Sequence, residues 1–235
     1  MVNQLCRSVS LASVLILTAV PNLSQAAVYD DFNVKLWIPA KAGTGPSTQQ
    51  VNDRLEISLP ANSLNDPTKG SFGAGYVSSC RLTGDFDIQV EFSLLDFPAN
   101  NGVRLALGLG YSFLETDGLP GHVGIASFGN SDISTGKGYY TDTEGGIRIL
   151  PTTATSGILK LTRYGTLLTG YYYNSSTQDW VMIGTSPTSM QDASFYLAAW
   201  SHDAYFANQP VRVAFDNVAI SEGTCYDPYA MRSRL

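Results

Sequence analysis

From Val28 onward the chain alternates apolar and polar residues in short, repeated runs. Leu55, Ile57 and Leu59 are separated by Glu56 and Ser58. Phe86, Ile88, Val90 and Phe92 are separated by Asp87, Gln89 and Glu91, and Val103, Leu105, Leu107 and Leu109 by Arg104, Ala106 and Gly108. The same period of two returns at Val123/Ile125, Ile147/Ile149, Leu159/Leu161, Phe195/Leu197/Ala199 and Val211/Val213/Phe215/Val218. A period of two gives each segment one apolar face, the pattern of antiparallel strands packed on a shared core. Gly, Asn, Asp, Ser and Pro cluster between the runs at 61–70, 98–102, 116–121, 129–138, 151–156, 174–178 and 208–210, and predict turns. No window of a dozen residues has a helical face. The expectation is an all-β chain, a jelly-roll sandwich of two antiparallel sheets formed as one domain over residues 27–235.

Residues 1–26 depart from this pattern. Arg7 precedes a ten-residue apolar run at 11–20, Pro21 interrupts it, and Ser24 and Ala26 place small residues before Ala27. This is the layout of a secretory signal peptide, too short to span a bilayer as a stable helix. The expected mature protein is exported (secreted, periplasmic or cell-surface), monomeric and without a membrane span. Cleavage leaves Cys80 and Cys225, which in an oxidising compartment are expected to form one disulfide. It also leaves 13 basic and 20 acidic side chains in 209 residues. So acidic a chain lacks the clustered cations that hold nucleic acid or anionic lipid.

A set of segments resembles the concanavalin A-like lectin/glucanase superfamily, particularly its laminin-G-like bacterial exported domains. They are Val28-Tyr29-Asp30-Asp31-Phe32 with Trp37, then Asn52-Asp53-Arg54-Leu55-Glu56-Ile57, then Gly84-Asp85-Phe86-Asp87-Ile88-Gln89-Val90-Glu91-Phe92. Leu159-Lys160-Leu161-Thr162-Arg163-Tyr164-Gly165 leads on to Trp180, and Phe215-Asp216-Asn217-Val218-Ala219-Ile220 completes the set. The resemblance implies the jelly-roll fold and a ligand site on a concave sheet. It does not carry over the glycoside hydrolase chemistry of the superfamily, which needs a Glu-x-Asp-x-(x)-Glu strand with nucleophile and acid on one side. The strand matching that place in chain order, Gly121-His122-Val123-Gly124-Ile125-Ala126-Ser127, has no carboxylate. Asp87 and Glu91 share a face but stand about 13 Å apart along a strand.

If the apolar residues face the core, Arg104, His122, Arg148, Tyr196 and Trp200 face away from it. A short turn at Tyr164-Gly165 would pair Leu161 with Leu168 inward and set Lys160, Tyr171 and Tyr173 outward. Together these eight residues predict a concave aromatic and cationic surface suited to a polysaccharide or cell-surface glycan, with rings for sugar C–H faces and guanidinium forks for hydroxyls or carboxylates. The expected function is non-catalytic carbohydrate binding. One alternative is a polysaccharide lyase or hydrolase with an unconventional site, since His, Arg and Tyr supply the residue types of alginate-lyase-like jelly rolls although their motifs are absent. The other is a structural surface protein that binds another protein. Ser201-His202-Asp203 contains triad residue types, but neighbours on a strand cannot form the hydrogen-bond chain. Asp30, Asp31 and Asp216, beside the first and last strands, are the expected ligands of a structural calcium ion, with Asp142 and Glu144 as a weaker second set.

Overall fold

The computed structural model describes residues 27–30, 37–110, 121–128, 136–143, 146–202 and 206–226. Its strands in chain order are β1 (Ala27–Asp30), β2 (Trp37–Ala42), β3 (Ser47–Val51), β4 (Arg54–Leu59), β5 (Phe72–Ser78), β6 (Arg81–Asp96) and β7 (Arg104–Leu109). There follow β8 (His122–Phe128), β9 (Gly136–Thr143), β10 (Gly146–Pro151), β11 (Ser156–Tyr164), β12 (Leu167–Asn174), β13 (Asp179–Pro187), β14 (Phe195–Ser201) and β15 (Val211–Tyr226). No helix occurs among the described residues. The strands form two antiparallel sheets. Sheet A runs β13-β12-β11-β6-β15-β4-β3, with β1 added on β15, and sheet B runs β10-β9-β8-β7-β14-β5-β2.

The alternating residues meet between the sheets as expected. Ile57, Leu59, Phe86, Ile88, Val90 and Phe215 of sheet A pack in one core with Leu105, Leu107, Val123, Ile125, Phe195 and Leu197 of sheet B, all buried. Each such side chain contributes about 1.5–3 kcal/mol of transfer free energy. Tyr139 of β9 stacks on Tyr172 of β12 across this core, with ring centroids 4.0 Å apart. Cys80 and Cys225 form the expected disulfide, with α-carbons 5.4 Å apart, closing a loop of 145 residues.

Two sequence expectations are corrected here. The 129–138 stretch was expected to be a turn, yet β9 begins at Gly136. Its inward residues are Tyr139 and Thr141 rather than aliphatics, so period two is masked although Tyr and Thr suit a pleated sheet. The β11–β12 hairpin pairs Lys160 with Tyr171 and Arg163 with Leu168, through a two-residue turn at Gly165 (φ 59°) and Thr166. That is two residues away from the expected Leu161–Leu168 pairing. A two-residue slip keeps every side chain on its expected face. The inward position after Leu159 and Leu161 is taken by Arg163, which is 1% exposed. It donates hydrogen bonds to the carbonyls of Gly84, Ser189 and Gln191, and its guanidinium lies 4.8 Å from the Phe86 ring centroid.

Candidate functional site

Register places three rows of residues across the outer face of sheet B, the face turned away from sheet A. The first row holds Ile38, Val77, Tyr196, Gly108, His122, Asp142 and Ile147, and the second holds Ala40, Gly75, Ala198, Ala106, Gly124, Tyr140 and Ile149. The third is Ala42, Gly73, Trp200, Arg104, Ala126, Gly138 and Pro151. Along β2, β5, β14, β7 and β8 the middle row has no side chain larger than a methyl group. His122 of the first row and Trp200 of the third therefore meet across it, and large rings lie on the glycines within the rows. The Tyr196 ring lies on Gly108 and the Tyr140 ring on Gly124, where an added methyl group would overlap ring atoms. His122 meets Trp200 edge-on at 5.6 Å and Tyr140 at 5.2 Å between centroids. Trp200 and Tyr196 are only 6% and 5% exposed. They are thus packed walls rather than the open stacking platform that the sequence suggested.

Ionic groups sit among these rings. His122 Nε2 lies 3.2 Å from Asp142 Oδ2, with the two side chains 14% and 29% exposed, and Arg104 is partly buried. Burial pushes the His122 imidazole below its ordinary range. The Asp142 charge opposes that shift and the Arg104 charge adds to it. The imidazole is therefore neutral at neutral pH. Burial, aided by Asp142, raises the Tyr196 phenol, and burial also raises Tyr140 against the pull of Arg104. Both phenols keep their protons.

This arrangement sets a pH dependence. Because His122 is depressed in the folded state, below about pH 6.5 the unfolded chain takes up a proton that the folded chain refuses. Stability is then expected to fall with acidification by up to about 1.4 kcal/mol per pH unit and to be unaffected above that range. Thermal melts from pH 7.5 down to about 5 should show a shallower decline in His122→Asn than in the natural protein. Equal slopes would remove the claim.

The eight predicted ligand residues do not share this surface. Arg104, His122, Tyr196 and Trp200 do. Arg148 does not: it pairs with Thr141, which faces sheet A, while Ile147 and Ile149 take the outer positions and pack against the Tyr140 cluster. The sequence rule that apolar residues point to the core reversed β10, because this sheet buries apolar groups on both faces. Lys160, Tyr171 and Tyr173 lie on the outer face of sheet A. There the Lys160 ammonium stands 4.2 Å from the Trp180 ring centroid, 5.1 Å from that of Tyr171 and 3.4 Å from Asp87 Oδ2. Tyr173 packs edge-on against Trp180 at 5.3 Å. Sequence reasoning missed Tyr140 and Trp180 as site residues and named Asp142 only as a weaker calcium ligand. Gly138-Tyr139-Tyr140-Thr141-Asp142 did carry the signal for Tyr140 and Asp142, since its alternate residues fall on one face.

Asp216 pairs with Glu91, and Asp30 pairs with Val218. Asp31, Glu144 and the side chain of Asp30 lie outside the described residues, as do residues 1–26. Among the described residues no three His, Cys, Asp or Glu side chains converge as metal ligands. Ser201 Oγ donates to the Gly102 carbonyl and His202 Nδ1 lies 3.1 Å from the Gly70 carbonyl, so these two do not build a triad.

No protein-family model matches the chain, and no curated protein matches its sequence. Solved structures do match. One is the exoplasmic/lumenal domain of VIP36 in a form bound to Ca²⁺ and Man3GlcNAc, with a TM-score of 0.54 and 10% identity, covering 87% of this chain and 91% of that one. A second is the CBM2 module of the evolved Dit of Lactobacillus casei BL23 phage J-1, with a TM-score of 0.51 and 12% identity, covering 83% and 96%. A third is the alginate lyase from Corynebacterium sp., with a TM-score of 0.50 and 10% identity, covering 78% and 83%. The fold is a concanavalin A-like jelly roll. At these identities the likeness is one of architecture, and the residues of this jelly roll have to speak for its chemistry.

Proposed function

We propose that the protein binds a carbohydrate bearing an anionic group on the outer face of sheet B, without turning it over. The observation that carries this reading is the set of Arg104, His122 and Asp142, partly accessible above a floor of glycine and alanine and walled by Tyr140, Tyr196 and Trp200. A guanidinium takes a carboxylate or sulfate by a two-pronged hydrogen bond, and Asp142 accepts from sugar hydroxyls. A solved structure sharing this fold, the VIP36 domain, is bound to Man3GlcNAc, which supports a glycan as the ligand class. An exported monomer acting at or beyond the cell surface is part of the same proposal. So is a structural calcium ion at Asp30, Asp31 and Asp216. The β1–β15 pairing sets Asp30 opposite Val218, two residues along the chain from Asp216.

The test is a screen of soluble polysaccharides and a glycan array, run with and without a calcium chelator. Arg104→Ala and His122→Ala are each expected to weaken an observed hit by about tenfold or more, the scale of a lost charge-assisted hydrogen bond. Lys160→Ala, on the opposite sheet, is expected to leave it unchanged. A blank screen on folded protein, or a hit indifferent to Arg104 and His122, overturns the proposal.

A second reading, β-elimination on a polyuronate, is favoured by the neutral imidazole of His122 beside the Arg104 charge. His122 would take the proton α to the carboxylate, the β C–O bond would break with solvent protonating the leaving oxygen, and Arg104 would hold the carboxylate, while the buried Tyr140 only walls the site. Unsaturated products absorbing in the ultraviolet, formed by the natural protein and not by His122→Ala, would establish it in place of simple binding.

A further inference from the structure

The outer face of sheet A carries a second polar site at its far end, remote in the strand order from Lys160 and Trp180. Ser47, Ser58 and Arg212 fall in register across β3, β4 and β15, and Gln49 and Glu56 form the adjacent row. These residues line a cavity of about 240 Å³ that opens to solvent. Glu56 is only 5% exposed and accepts from Arg54 Nε at 3.0 Å, Arg54 Nη2, Arg212 Nη2 at 3.2 Å and Gln49 Nε2 at 3.4 Å. Burial pushes this carboxyl up, but the hydrogen bonds from Arg54, Arg212 and Gln49 outweigh it and hold the group below its ordinary range. One carboxylate thus fixes two guanidiniums, leaving an excess positive charge in a chain of net charge −6.

The donors left over face outward from a held position. The Arg212 side chain is 55% exposed and uses one of its nitrogens on Glu56. Asp96, its register partner on β6, forms no ion pair with it. The Ser47 and Ser58 hydroxyls make no hydrogen bond among the described residues. Arg212 offers donors in the plane of its guanidinium, and the rotatable hydroxyls of Ser58 and Ser47 along the same row can donate from outside that plane, which suits a tetrahedral oxyanion better than a planar carboxylate. The cavity exceeds the ion itself and leaves room for the group that bears it.

We propose that this cavity binds a tetrahedral oxyanion carried on a larger molecule, a sulfate ester or a phosphate monoester. The site stands independently of the carbohydrate surface on sheet B. The probes are inorganic sulfate, inorganic phosphate, a sulfated monosaccharide, the same sugar phosphorylated and the same sugar free. Each is titrated by calorimetry into the full-length protein at constant ionic strength set with chloride. Saturable binding in the millimolar range is expected for the oxyanions, tighter for a substituted sugar than for the bare ion. The sugar that binds tighter tells sulfate from phosphate. Arg212→Gln should lower the affinity by about tenfold. Ser58→Ala, which breaks no internal hydrogen bond and keeps the fold testable, should lower it a few-fold. Arg104→Ala should not change it. Binding that does not saturate, that survives both Arg212→Gln and Ser58→Ala, or that is equal for the free sugar overturns the proposal.

Discussion

Replacing Cys80 and Cys225 together by alanine is expected to cost about 5 kcal/mol, the loop-closure entropy of a 145-residue loop on the chain-entropy account. A typical domain is stable by only about 5–15 kcal/mol, so the variant should sit close to its unfolding transition at ambient temperature. The geometry adds to this. Cys225 lies opposite Leu82 at the far end of β15, where the register slips between Ile220 and Glu222 and again between Glu222 and Thr224. Ladder hydrogen bonds are therefore interrupted just before the bridge, and the disulfide holds the end of the strand in place of a continuous ladder. Guanidinium unfolding of oxidised, reduced and doubly substituted protein measures the effect. A midpoint unchanged on reduction would show that the strand ends hold themselves.

Arg163→Met is expected to destabilise by about 1.5–3 kcal/mol, the scale for hydrogen bonds made by a charged group. The methionine would suit the apolar neighbours Leu161 and Phe86, so lost packing is not the main cost. The cost comes from the carbonyls of Gly84, Ser189 and Gln191, which lose a charged donor. Arg163→Lys should recover only part of the loss, because a single ammonium cannot reproduce a planar fork reaching three carbonyls. Denaturant midpoints of the two variants test this. Equal stability of Arg163→Met and the natural protein would mean that the three carbonyls find other donors.

Much of the sandwich was legible because its core-facing residues obey period two, as in Phe86-x-Ile88-x-Val90-x-Phe92 and Leu105-x-Leu107. The pattern failed where both faces of a strand are buried. On β10 the apolar Ile147 and Ile149 pack on the outer cluster and Arg148 takes the other side, so hydrophobicity named the wrong face. It failed on β9 because Tyr139 and Thr141 fill the inward positions, and Tyr140 and Asp142 were lost to the site with them. Alternation also gave no sign that Arg163 is an interior residue, since its burial depends on three carbonyls distant in the chain.

Local sequence thus determined the strand class, the face of most strands and the pairing of the two cysteines, since these depend on alternation and on simple counting. Which sheet each strand joined was decided only by tertiary structure. Lys160, Tyr171 and Tyr173 look outward just as Arg104, His122 and Trp200 do, yet β11 and β12 lie in sheet A while β7, β8 and β14 lie in sheet B. Alternation reports inside against outside and carries no information about which outside. That distinction comes from long-range pairing of strands, whose backbone hydrogen bonds are the same for every sequence and whose choice rests on how whole faces fit together.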